Sequence, residues 1–301
     1  MRWQNQRRSR NVDNRRGRTA GGSMGIGLIF LLLRFIFTKF GIFGIVVLAG
    51  GYFALRSMGI DPMVLVSSVT GAGPQQATSS GEAPTSPYDD MVAAVLGGTE
   101  DVWDRIFAEE GLNGGVYPHT TLILYSGAIN TDACGFAQSA VGPFYCPADN
   151  QIYIDTSFFD QLKTQFGSAG DFPPAYVIAH EVGHHVQTVV GISDQVRAAQ
   201  GRGNQIEQNQ LQVRMELQAD CFAGLWAHEW REALEPGDIE EALRAAAAIG
   251  DDALSRQAGR TVNPDNFTHG SSAQRQRWFT IGYDTGSYRQ CDTFAVDASA
   301  L

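Results

Sequence analysis

Apolar positions along the chain fall into three patterns. Residues 1–23 carry almost none. From Met24 to Leu55 they are nearly continuous, interrupted only by Arg34 and Lys39. From residue 88 onward they recur with the spacing of helices and strands. A near-continuous run of this length is the signature of a membrane span. Phe35–Leu55 alone supplies 21 residues, with Lys39 able to snorkel to the interface. The pattern predicts a disordered arm at 1–23, a transmembrane anchor at 24–56, a linker at 57–87 and a folded domain at 88–301. The linker includes the stretch GAGPQQATSSGEAPTSP.

Within the domain, Val92, Val95, Leu96, Val102, Trp103, Ile106 and Phe107 predict helix over 89–110, with Gly97-Gly98 expected to split it. TTLILYS at 120–126 and QIYID at 151–155 read as strands through their β-branched and aromatic content. A short helix follows at 158–166, then helices at 172–188, 211–232, 238–256 and 271–283. Residues 187–210 form a helix broken near Gly201 and Gly203. Strands followed by helices predict an α+β fold rather than a parallel βαβ array.

Charge sharpens the division. The net charge is −10, but residues 1–39 carry nine Lys/Arg against Asp13, leaving −18 on the remaining 262 residues. An acidic domain argues against nucleic acid as its partner. Positive charge ahead of an apolar span predicts a single-pass protein of the bacterial inner membrane, with a cytoplasmic N-terminus and a periplasmic or extracellular domain. A cleaved signal peptide ending near Val47-Leu48-Ala49 would need an n-region about twice the usual length. Four cysteines in an exported domain suggest two disulfides. Cys134–Cys146, closing a short loop, is the preferred pair of three possible pairings, and it leaves Cys221–Cys291.

The chemistry centres on His180-Glu181-Val182-Gly183-His184. Residues i and i+4 of a helix share a face, so two imidazoles can reach one Zn²⁺ with Glu181 beside them as general base. Asp171 is the expected N-cap, with Pro173 and Pro174 in the first turn. Gln187 and Val190 stand where the H-E-x-x-H-x-x-G-x-x-H pattern needs Gly and His, which excludes that class. The third ligand is sought in E-x-x-x-D on the next good helix. Glu216 is the expected ligand, and Asp220, one turn on, the acceptor of a ligand histidine's ring N–H. His119, His185 and His228 read as structural.

HExxH followed by ExxxD resembles the gluzincin metallopeptidases, which include thermolysin and the membrane prenyl-protease group. The chain is more similar still to the bacterial neutral zinc metallopeptidases. It shares with them the MRWQ start, the single anchor, VGPFYCPADNQIYID, HEVGHHVQ, ELQADCFAG and FTHGSSAQRQRWF. The resemblance implies a zincin-like domain holding one zinc per chain. In the prenyl-protease group an Arg follows a His by six residues, as Arg275 follows His269 here. This similarity implies that His269 donates to the developing oxyanion and that Arg275 orients Asp220 or the substrate. Cleavage of peptide bonds by zinc-activated water is the expected function. Ile152, Tyr153 and Ile154 are expected to pair with an extended peptide. The alternative is a membrane-tethered binding or scaffold domain with a structural zinc, which would have no need of Glu181.

Overall fold

The computed structural model describes residues 1–17, 85–131, 133–164 and 170–301. The expected anchor and nearly all of the linker lie outside them. Among the described residues no helix is long and apolar enough to cross a membrane.

The main sheet has the order β1-β2-β6-β5, from Val12–Asn14, Thr121–Tyr125, Gln151–Asp155 and Phe144–Cys146. β2 pairs parallel with both β1 and β6, and β5 runs antiparallel to β6 at the edge. Between β2 and β5 lies a two-stranded hairpin, β3 (Ala128–Asn130) with β4 (Phe136–Gln138). Leu122, Leu124, Ile152 and Ile154 face the main core, while Ile123, Tyr125 and Tyr153 face a smaller cluster with Ile129 and Ala137. Burial on both faces explains why β2 and β6 read as continuous apolar runs.

Eight α-helices are described. α1 is Asp89–Glu110, α2 is Ser157–Thr164, α3 is Phe172–Val189 and α4 is Ile192–Gln200. α5 is Gln205–Glu229, α6 is Asp238–Ala248, α7 is Asp251–Gln257 and α8 is Ser272–Thr285. The mixture is α+β and rich in helix. α5 begins with a capping box, Asn204 with Glu207, and is buried around its whole girth over its second half, so it shows no single apolar stripe. The disulfides are Cys134–Cys146 and Cys221–Cys291.

Two expectations are corrected here. The first concerns the arm. Residues 1–17 belong to the same compact unit as the domain. β1 extends the sheet, and Ser9 N donates to Ala93 O at 2.9 Å. The arm's polarity serves buried partners rather than solvent. Glu100, 2 % exposed, accepts from Arg7, Ser9 and Asn11. The Met1 ammonium lies among Asp171, Glu235 and Asp238 at 3.0, 2.8 and 3.4 Å. Asp171 holds the N-cap position of α3, but its side chain makes no cap bond.

The second correction is that α1 runs unbroken through Gly97-Gly98. The pair serves close packing. A Cβ on Gly97 would stand 2.7 Å from the Arg7 carbonyl, and one on Gly98 would stand 2.4 Å from the Trp230 ring. The arm and Trp230 therefore occupy the space that side chains would fill, and their contacts offset glycine's poor helix propensity.

Candidate metal centre

α3 carries His180 and His184 one turn apart, and α5 brings Glu216 and Asp220 against them. Gly183 permits the approach, since a Cβ there would lie 3.1 Å from Ala219 Cα. A larger residue would push the ligands apart. His180 Nε2 lies 3.2 Å from Glu216 Oε2, and His184 Nε2 lies 3.6 Å from Glu216 Oε1. One ligand atom from each residue falls within 4.8 Å of the others. A tetrahedral zinc with bonds of about 2.0–2.2 Å needs ligand atoms about 3.3–3.6 Å apart. Two imidazoles and a carboxylate at this spacing fit zinc, and a fourth position remains for water.

Asp220 is fully buried and accepts four hydrogen bonds. They come from His180 Nδ1 at 2.9 Å, Tyr176 Oη at 2.6 Å, and Arg275 Nε and Nη2 at 2.8 and 2.9 Å. Burial would raise its pKa, but Arg275 and then His180 hold it down at about 2. The ionised carboxylate holds a proton on His180 Nδ1, so Nε2 is the nitrogen that a metal would take. Burial opposes charge on His180, yet Asp220 and Glu216 raise its pKa to about 9. Despite burial, His184 and His180 hold Glu216 well below the usual carboxylate range.

The cluster opens into a cleft of about 560 Å³. Glu181 lines it beside the two histidines, and so do Val141–Tyr145, Val196, Met215, Ile249 and Leu254. His269 lines it too, and its ring is half exposed. A hydrogen bond from its Nδ1 to the Asp251 carboxylate raises its pKa against partial burial.

Two sequence expectations change in detail. Arg275 is buried, with its guanidinium engaged by Asp220, by Tyr176 at 3.1 Å and by the Ile249 carbonyl. Two of its nitrogens bond Asp220, and it also forms part of the cleft wall. Ile152, Tyr153 and Ile154 are fully buried between β2 and β5, so the backbone of a peptide cannot pair with them. The strand with a free edge in this sheet beside the cleft is β5, led in by Val141–Pro143. His185 is structural, as expected. It bonds the Pro118 carbonyl at 2.6 Å and Tyr145 Oη at 3.1 Å, fastening α3 to β5.

Tyr176, Gln187 and Gln212 were missed. Gln212 donates to Glu216 at 2.9 Å, and Gln187 lies 2.9 Å from His184 Nδ1. Each lies three or four residues from a ligand on the same helix, so helical spacing marks all three.

The profile of the family described as "Putative neutral zinc metallopeptidase" matches residues 1–294. The chain belongs to this family. Among its relatives is "Uncharacterized protein YpfJ" of Escherichia coli K12, 48% identical over 310 residues, covering 98% of this chain and 99% of the relative. "Uncharacterized protein Rv2575" of Mycobacterium tuberculosis is 46% identical over 218 residues, covering 68% of this chain and 70% of its own. No solved structure matches the chain. Membership in the neutral zinc metallopeptidase family implies zinc as the metal, in agreement with the donor set. The match begins at residue 1, so it includes the arm that packs on the domain.

Proposed function

We propose that the chain is a zinc-dependent endopeptidase with a zincin-like catalytic domain. The observation that carries this reading is the convergence of His180, His184 and Glu216 at zinc spacing on the wall of a cleft that Glu181 also lines. A purely structural zinc would have no use for a carboxylate base beside an open cleft.

When bound, zinc polarises a carbonyl and lowers the pKa of a water. The residues of the chain do the rest. Glu181 takes the proton of the attacking water and returns it to the leaving amine. His269, whose pKa is raised by its hydrogen bond to Asp251, donates to the oxygen on which negative charge develops. Asp220, clamped by Arg275, holds His180 in one tautomer. The free edge of β5 offers backbone groups to an extended peptide. The test is zinc-dependent cleavage of a peptide library by the full chain. Activity should vanish in Glu181→Gln while zinc content stays unchanged, and cleavage that survives this substitution would refute the proposal.

We further propose that residues 24–56 attach the domain to a membrane. The two disulfides support an oxidising compartment. Residues 1–17 and 85–301 pack as one unit, which supports their lying on the same side of that membrane.

A further inference from the structure

His180 has its ring proton fixed by a charged acceptor, and His184 has no carboxylate on its Nδ1. Its partner there is Gln187 Oε1 at 2.9 Å. Gln187 is fully buried, and its Nε2 donates to the Met215 carbonyl at 2.7 Å and to Gln218 Oε1 at 3.0 Å. Gln218, 3 % exposed, donates in turn from Nε2 to the Cys291 carbonyl at 3.0 Å.

The direction of every proton in this chain follows from its far end. A backbone carbonyl can only accept. The Cys291 carbonyl therefore draws the NH₂ of Gln218, which turns Oε1 of Gln218 toward Gln187. That oxygen and the Met215 carbonyl, both acceptors, draw the NH₂ of Gln187. Oε1 of Gln187 must then face His184, so Nδ1 of His184 carries the proton and Nε2 presents its lone pair beside Glu216. The terminal acceptor is itself secured, because Cys291 is joined by a disulfide to Cys221 on α5, one turn from Gln218. Reversing either amide would place two carbonyl oxygens against each other in a buried site and leave acceptors unmet.

We propose that Gln187 is the positioning residue of His184. Anchored through Gln218 to the carbonyl of disulfide-bonded Cys291, it holds the imidazole in the tautomer and orientation that a metal ion requires. This rests on His184 being a zinc ligand. A purely structural Gln187 would matter through its donors, which tie α3 to α5. A positioning Gln187 matters through its acceptor.

The experiment measures the zinc dissociation constant of the full chain by competition with a chromogenic chelator, together with the ligand-field spectrum of the cobalt-substituted protein. The parent comes first, because failure of the parent to bind zinc would overturn the zinc reading itself. Gln187→Met should weaken zinc binding about 10–100-fold and change the cobalt spectrum. Gln187→Glu keeps an oxygen opposite His184 and should remain within a few-fold of the parent, even if its melting temperature falls. Parent-like affinity in Gln187→Met would overturn the proposal, as would a Gln187→Glu variant as weak as Gln187→Met. If Gln187→Met does not fold, Gln218→Met decides. A several-fold loss of zinc affinity supports the relay, and parent-like affinity overturns it.

Discussion

Arg7 Nη2 donates to Glu100 Oε2 at 2.7 Å, linking the arm five residues before β1 to the middle of α1 across 93 positions of sequence. Glu100 is buried, and its other oxygen accepts from Ser9 at 2.6 Å and Asn11 at 2.7 Å. The N-terminal segment thus supplies three hydrogen bonds to a buried carboxylate that the rest of the domain meets through His119 at 3.8 Å.

Deleting residues 2–17 should therefore destabilise the domain. Exposing one partner of a buried pair costs about 3–5 kcal/mol, and here β1 is lost as well. Arg7→Ala, which leaves Ser9 and Asn11 in place, should cost about 1–3 kcal/mol. Chemical denaturation measures both. Equal stability of the truncated and full-length proteins would show that the arm contributes nothing.

The carboxylates of α5 should separate by role. Glu216→Ala should nearly abolish zinc retention. Asp220→Ala should retain zinc when it is in excess, with affinity reduced about 10–100-fold. Arg275→Met should resemble Asp220→Ala, because two of its nitrogens hold the Asp220 carboxylate in place. Circular dichroism must show that the helices persist. A folded Glu216→Ala that binds zinc like the parent would remove Glu216 from the ligand set.

The Met1 ammonium gives stability a dependence on alkaline pH. Burial opposes its charge, but Glu235 and Asp171 raise its pKa from 8.0 to about 10. A group whose pKa is raised by folding stabilises the fold fully below its unfolded pKa. That contribution falls as pH rises from about 8 through about 10. Melting temperatures between pH 7 and 11 should show this loss with a free Met1 amine and not with an acetylated one. Identical profiles for the two would discount the ion cluster.

Membrane sidedness can be read by labelling. Arg10 and Arg260 are both exposed and lie in one compact unit. In spheroplasts, Arg10→Cys and Arg260→Cys should react alike with an impermeant maleimide. Labelling of one position only would show that the arm and the domain do not share one side of the membrane.

The sequence by itself determined the features that depend on local spacing. HEVGH places two imidazoles on one face whatever surrounds the helix, and E-x-x-x-D does the same for two carboxylates. Their helices, the central strands β2 and β6 and the pairing of the cysteines were legible for similar local reasons. Only tertiary structure decided what lies across the chain from what. The polar arm looked unable to order itself because its partners, Glu100 and Asp171, lie far along the sequence. QIYID looked like an accessible strand because apolar content alone does not distinguish a central strand from an edge. Arg275 had two available roles until burial gave its guanidinium to Asp220. The proton on His184 is set furthest from its own residue, by a carbonyl at Cys291 that reaches Gln218 only through the folded packing of α5 against the C-terminal segment.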